Sequence, residues 1–99
     1  MPWGPNRILQ AEAVPNPDPR GFVLKLAGSA ERVQILLYTR SMVRVDAIEV
    51  PGPASGGWFY VPMPSQDAEA ANGSYYFVAF SIRQGEKSLP CIGKYFIAR

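Results

Sequence analysis

Prolines and glycines interrupt this chain at short intervals, and their placement constrains its fold more than any other feature. The ten prolines and nine glycines stand in short clusters spread along the whole length. Proline fixes φ and lacks a backbone N–H, and both residue types favour turns, so long helices are disfavoured. This pattern is typical of short strands joined by many turns.

Between these clusters, apolar residues recur with the period of two that indicates half-buried strands. The stretch 42–50 changes phase partway, which predicts a β-bulge near Ala47. We predict strands at residues 8–14, 21–27, 32–39, 42–50, 58–63, 74–83 and 88–98. About seven short strands with turn signals between them predict an all-β, antiparallel sandwich of the Ig-like or fibronectin III-like kind.

The segments between the strands read as connections. Residues 15–21 hold three prolines and cannot form a helix or a central strand. Residues 51–57 are predicted to be a loop, and the polar crossing 64–73 is expected to include one helical turn at 67–71. Residues 1–7 are predicted to be a linker or lead-in segment, which leaves one domain at 8–99.

Overall composition excludes several classes of protein. The chain has 99 residues, and a domain of this size buries about 60–70% of its unfolded surface. Its net charge is +2, with the charges scattered singly, so nucleic acid is not an expected partner. No run approaches the ~20 apolar residues of a membrane span. Residues 1–5 lack the features of a signal peptide, so an exported form would be a piece of a longer chain.

Residues suited to catalysis or to metal binding are few. There is no histidine, and the single cysteine, Cys91, cannot form an internal disulfide; we expect it to be a buried or half-buried apolar residue of the last strand. No phosphate-binding loop is present. The acidic residues Asp46, Glu49, Asp67 and Glu69 are interpreted as solvated charges, the alternative being calcium binding at Asp67. We therefore expect no enzyme activity, no cofactor and no metal.

Two groups of three consecutive aromatic residues stand out. Residues 58–60 and 75–77 must each send side chains to both faces of a sheet, because neighbouring residues of a strand alternate in direction. One interpretation places half of each group in the core and half as partial cover. In the other, Trp58 and Tyr60 form a platform on which a glycan could stack.

The strand predicted at 74–83 has a second apolar face, formed by Tyr76, Val78, Phe80 and Ile82. Only one face of a strand meets the core of a two-sheet sandwich. The second face is therefore expected either to be covered by another part of the chain or to contact a partner. Both alternatives are kept, and a protein is the expected partner.

Short motifs at both ends of the domain resemble a known family. Residues 14–17 (VPNP) precede a strand pair that ends at 37–39 (LYT), and residues 72–77 (NGSYYF) and 93–99 (GKYFIAR) close the chain. In this order and spacing they resemble the FlgD-like Ig domain of flagellar hook-capping proteins and the related C-terminal sorting domains of type IX secreted proteins.

The resemblance covers residues 8–99 and implies an accessory domain of a secreted or cell-surface bacterial protein. Such a domain would act in assembly, spacing or attachment, or would be recognised by a secretion machine through its terminal strands. It also implies roles for two residues. Gly73 would adopt a positive φ as the chain enters the strand, and Tyr75 would bury its ring while its hydroxyl bonds to the backbone.

Overall fold

The computed structural model describes residues 6–53, 55–68 and 70–98. Nearly all of the regular structure is strand, arranged in two antiparallel sheets that pack face to face. The elements are β1 (Ile8–Val14), β2 (Gly21–Leu26), β3 (Arg32–Thr39), β4 (Arg44–Pro51), β5 (Gly57–Pro62), α1 (Ser65–Ala68), β6 (Gly73–Arg83), β7 (Glu86–Lys87) and β8 (Cys91–Ile97).

The predicted all-β sandwich is confirmed. One sheet has three strands in the order β1-β2-β5, and the other has the order β4-β3-β6, with β7 and β8 both pairing with the far side of β6. The described residues form eight strands where about seven were expected. The additional one, β7, is a two-residue strand paired with Ile82 and Arg83 in the hairpin after β6.

The core lies between the two sheets and is built from the alternating positions of the long strands. Phe22 and Leu24 of β2 face Val33, Ile35 and Leu37 of β3, and all five are fully buried. Burying an apolar side chain of this size contributes about 1.5–3 kcal/mol. Four aromatic rings occupy one region of this core: Phe22 lies 4.9 Å from Phe77 and 6.0 Å from Tyr95, and Tyr95 stacks on Tyr75 at 5.2 Å.

Some boundaries differ from the predictions. The bulge in β4 falls at Val45, because Leu37 pairs with Asp46 while Tyr38 pairs with Arg44. The helical turn is α1, which begins two residues before the predicted 67–71 segment. The last strand begins at Cys91, since the preceding residues turn back from β7. Pairing with β3 decides the position of the bulge and pairing with β6 decides where the last strand begins, and neither pairing is visible in local sequence.

Entry into β6 agrees with both expectations for this corner. Gly73 has a φ of 149°, a value that residues other than glycine rarely adopt. The Tyr75 ring is buried, and its hydroxyl donates a hydrogen bond of 2.6 Å to the Ala71 carbonyl. The ring thus joins the core while its polar end is satisfied by the loop that precedes the strand.

The described part of the lead-in segment is tied to the domain. The Asn6 side chain accepts a 2.6 Å hydrogen bond from the Ser81 hydroxyl and donates one of 3.0 Å to the Glu86 carbonyl. The Arg7 carbonyl accepts a bond from the Ala27 N–H. Residues 6 and 7 are therefore part of the domain, and the rest of the predicted linker, residues 1–5, lies outside the described residues.

Candidate functional site

The outer face of the larger sheet carries a continuous set of apolar side chains. Strand register places Tyr38 beside Tyr76 and, one row further, Leu36 beside Val78 and Ile92. Phe80 and Phe96 extend these rows along β6 and β8. We call this set the apolar face: Leu36, Tyr38, Tyr76, Val78, Phe80, Ile92 and Phe96.

The described part of the chain places no helix or strand over the apolar face. Each of its strands belongs to one of the two sheets, and α1 lies near Asp46 on the other side of the larger sheet. Ile92 is 66% exposed and Phe96 42% exposed, while the residues on the central strands are half-buried by their neighbours. The fourth residue predicted for this surface, Ile82, is buried and adds little to it.

Two lysines lie across the rings of the apolar face. Lys87 Nζ is 5.0 Å from the centre of the Phe80 ring, and Lys94 Nζ is 5.3 Å from Phe96 and 5.8 Å from Tyr76. Their methylene stems extend the apolar area while the ammonium groups remain attracted to the ring faces. Sequence reasoning found only the β6 part of this surface, because β3 and β8 become its neighbours only in the folded sheet.

Trp58 and Tyr60 point outward from the smaller sheet. They are 59% and 50% exposed, and Phe59 between them turns inward against the core. The same division occurs in residues 75–77, where Tyr75 and Phe77 are buried and Tyr76 faces outward. Phe59, Tyr75 and Phe77 therefore pack in or against the core, whereas glycan stacking on Trp58 and Tyr60 stays a prediction.

The two exposed rings sit among polar neighbours. Trp58 pairs across the sheet with Lys25, whose Nζ lies 5.6 Å from the ring centre, and Tyr60 pairs with Val23. In the next strand, Gln10 donates a 3.2 Å hydrogen bond to Glu12. We call Trp58, Tyr60, Val23 and Lys25 the aromatic platform; it is an open surface with hydrogen-bonding groups beside it.

Asp67 is not a solvated charge, contrary to the interpretation from sequence. It is only 8% exposed, and its Oδ2 has no hydrogen-bond partner among the described residues. Burial and the adjacent Asp46 carboxylate raise the pKa of Asp67 to about 7. The hydrogen bond from Asp67 and one of 2.7 Å from the Ala47 N–H lower the pKa of Asp46. Below about pH 7 we therefore expect the two carboxyl groups to hold one proton, on Asp67.

The remaining acidic residues have other settings. Glu49 is exposed and forms a 2.7 Å ion pair with Arg32, and Glu69 lies outside the described residues. No group of three or more acidic, cysteine or histidine side chains that could hold a metal occurs within residues 6–53, 55–68 and 70–98. Cys91 is half-buried against the core, as expected, and burial raises the pKa of its thiol.

Across the described ranges, no helix is long and apolar enough to cross a membrane. Comparison with known proteins found no family model and no curated sequence that matches the chain.

Proposed function

We propose that this chain is a non-catalytic accessory module of a secreted or cell-surface bacterial protein, acting in protein–protein assembly, spacing or attachment through its apolar face. One observation carries the proposal: seven apolar side chains share one outer surface of a sandwich whose core is complete without them. Extended apolar surfaces of this kind are characteristic of interaction sites.

The proposal includes an Ig-like fold related to the FlgD-like domains. Two features support that relation. The chain crosses between the two layers after β2, after β4 and after β5, so that β2 pairs with β5 and β3 pairs with β6, as in Greek-key sandwiches. The bond from the Tyr75 hydroxyl back to Ala71 resembles the tyrosine corner of Ig-like domains.

Sedimentation of the purified chain over a concentration series tests the contact function in its simplest form, contact between copies. Phe80→Lys and Ile92→Lys place new charge on the apolar face, and both are expected to abolish association. Leu9→Lys is the matched control, because Leu9 is 47% exposed but lies on β1 of the other sheet.

Concentration-dependent assembly that both face variants abolish and Leu9→Lys retains would support the proposal. A monomer at every concentration, with Phe80→Lys lowering the free energy of unfolding, would overturn association through this face. Assembly that Leu9→Lys also abolishes would place the contact elsewhere.

The aromatic platform supports a second candidate, glycan binding. Two half-exposed rings on one face, flanked by Lys25, Gln10 and Glu12, combine stacking surfaces with groups that can hydrogen-bond to sugar hydroxyls. The arrangement is open along β5, which is an edge strand, so a polymer could continue past it.

Native gels containing soluble polysaccharides test this candidate. Retardation of the chain that is lost in both Trp58→Ala and Tyr60→Ala, with the circular dichroism spectrum unchanged, is the expected result. Phe96→Ala removes an exposed ring from the other sheet and should migrate like the parent chain. Equal migration of all forms in every polysaccharide would exclude this function for the polymers used.

A further inference from the structure

Strand β8 is an edge strand, and a loop covers only half of its free edge. The Phe96 N–H donates a 3.0 Å hydrogen bond to Asn16 Oδ1, and the Phe96 carbonyl accepts one of 2.8 Å from the Asp18 N–H. The Ala98 N–H donates a 3.0 Å bond to Asp18 Oδ1. The proline-rich loop between β1 and β2 thus takes the place of a neighbouring strand at the end of β8.

The other half of this edge is open. The backbone N–H and C=O groups of successive strand residues point alternately to the two sides of the strand. The N–H and C=O groups of Ile92 and Lys94 therefore point the same way as those of Phe96, away from β6. Strand β1 lies near β8 but pairs only with β2. Within the described residues no hydrogen bond reaches the N–H or C=O of Ile92 or Lys94 from that side.

A cleft of about 280 Å³ lies beside the open half, between the edges of the two sheets. Its walls combine the small residues Ala11, Ala13 and Gly93 with the polar residues Glu12, Asn16 and Lys94. The Phe77 ring forms its floor and lies so close to Gly93 that a Cβ there would overlap Phe77 Cζ. The cleft can therefore accept one apolar side chain next to the unpaired backbone.

A lysine lies beside this edge, and the Glu12 carboxylate that lines the same cleft accepts a hydrogen bond from Gln10 and forms no ion pair with it. Lys94 is exposed on the outer surface and has ring contacts but no ion pair with a described carboxylate. A carboxylate on an added strand would stand directly across from it, as in ordinary cross-strand pairs of opposite charge.

We propose that the open half of the β8 edge binds an extended peptide by β-strand addition. The peptide's backbone pairs with Ile92 and Lys94, an apolar side chain enters the cleft, and an acidic side chain lies beside Lys94. This site goes beyond the contact function proposed above, since it uses the backbone of an edge and not the side chains of the apolar face.

The test uses two blocked hexapeptides, one alternating glutamate with valine and the other alternating lysine with valine. Titration into the ¹⁵N-labelled chain is expected to shift the amide signals of Ile92 and Lys94 first. The acidic peptide should bind about two- to fivefold more tightly, the range for one exposed ion pair. Lys94→Glu should reverse that preference, whereas Lys25→Glu, on the other sheet, should leave it unchanged.

N-methylation separates strand addition from simple charge attraction. Two methylated forms of the peptide are compared, one with its odd-numbered amides methylated and one with its even-numbered amides methylated. Only one of these two sets of amides faces β8, so one form should lose binding and the other should keep it nearly intact. Equal effects of the two methylation patterns, or no shift of Ile92 and Lys94 at millimolar peptide, would overturn the proposal. Shifts confined to the β3 and β6 amides would assign the peptide to the apolar face.

Discussion

Tyr75 and Asp67 are the residues at which local chemistry bears most directly on this fold. Both lie where the chain crosses from β5 to β6, and both are buried although they carry polar groups. Tyr75 satisfies its hydroxyl with the Ala71 carbonyl, whereas Asp67 is held next to Asp46 with one oxygen unpaired. Tyr75 therefore leads to a prediction about the loss of one hydrogen bond, and Asp67 to a prediction about the dependence of stability on pH.

Tyr75→Phe should lower the free energy of unfolding by about 1–2 kcal/mol, because the hydroxyl is lost and the Ala71 carbonyl loses its partner. Urea denaturation measures the change. Tyr76→Phe is the matched control, since its ring faces outward on the same strand, and it should change stability by less than about 0.5 kcal/mol. Equal effects of the two substitutions would show that the hydrogen bond from Tyr75 to Ala71 does not contribute to stability.

Stability should fall as pH rises from about 4 to about 7, because the folded chain holds a proton on Asp67 that the unfolded chain releases at its ordinary pKa of 3.8. The melting temperature at pH 5 should therefore exceed that at pH 8. Asp67→Asn should remove most of this difference, while Glu49→Gln, at an exposed ion pair, should keep it. A pH dependence unchanged in Asp67→Asn would contradict a proton held on Asp67.

At the scale of elements, β6 and β8 pack so closely that one position must lack a side chain. Gly93 pairs with Phe77, and the Phe77 ring occupies the space that a Cβ on Gly93 would need. The edge of β8 that faces away from β6 is covered by the Asn16 and Asp18 side chains at one end only. Close packing on one side and partial cover on the other are expected to make β8 sensitive to small changes.

Gly93→Ala should destabilise the domain by about 1–3 kcal/mol through overpacking against a buried ring. Phe77→Leu makes room for the new methyl group, so the double variant should be more stable than the sum of the two single effects predicts. Denaturant unfolding of the parent chain, the two single variants and the double variant gives the four free energies of this double-mutant cycle. Strict additivity would show that the methyl group is accommodated elsewhere.

At the scale of the whole molecule, the aromatic core joins both sheets, so we expect the described part of the chain to unfold as one cooperative unit. Phe22 comes from the smaller sheet, while Phe77 and Tyr95 come from the larger one, and all three rings are within 6.5 Å of one another. The buried apolar residues among those described form one cluster, to which both sheets contribute.

Phe22→Ala should therefore cost about 3–5 kcal/mol and weaken both sheets together. Near-ultraviolet and far-ultraviolet circular dichroism should report one coincident transition, as for a small two-state domain. Trp58→Ala removes an exposed ring and should leave the transition nearly where it was. Two separate transitions in Phe22→Ala would show that the sheets can unfold independently.

The sequence alone determined the class of fold and most of the core. Alternation with period two reports which side chains share a face of a strand: Phe22 and Leu24 of β2 share one face, as do Val33, Ile35 and Leu37 of β3, and the fold buries both sets. Proline and glycine marked the connections because their backbone restrictions act locally. The roles of Gly73 and Tyr75 at the start of β6 were implied by the family resemblance and not by periodicity.

Only the tertiary structure decided which strands are neighbours. Pairing of β6 with β3 and β8 added Leu36, Tyr38, Ile92 and Phe96 to a face predicted from β6 alone. It also brought Asp46 and Asp67 together and set the proline-rich loop against the edge of β8. The physical reason is that local periodicity fixes the direction of each side chain, whereas contacts between distant segments depend on how the sheets assemble.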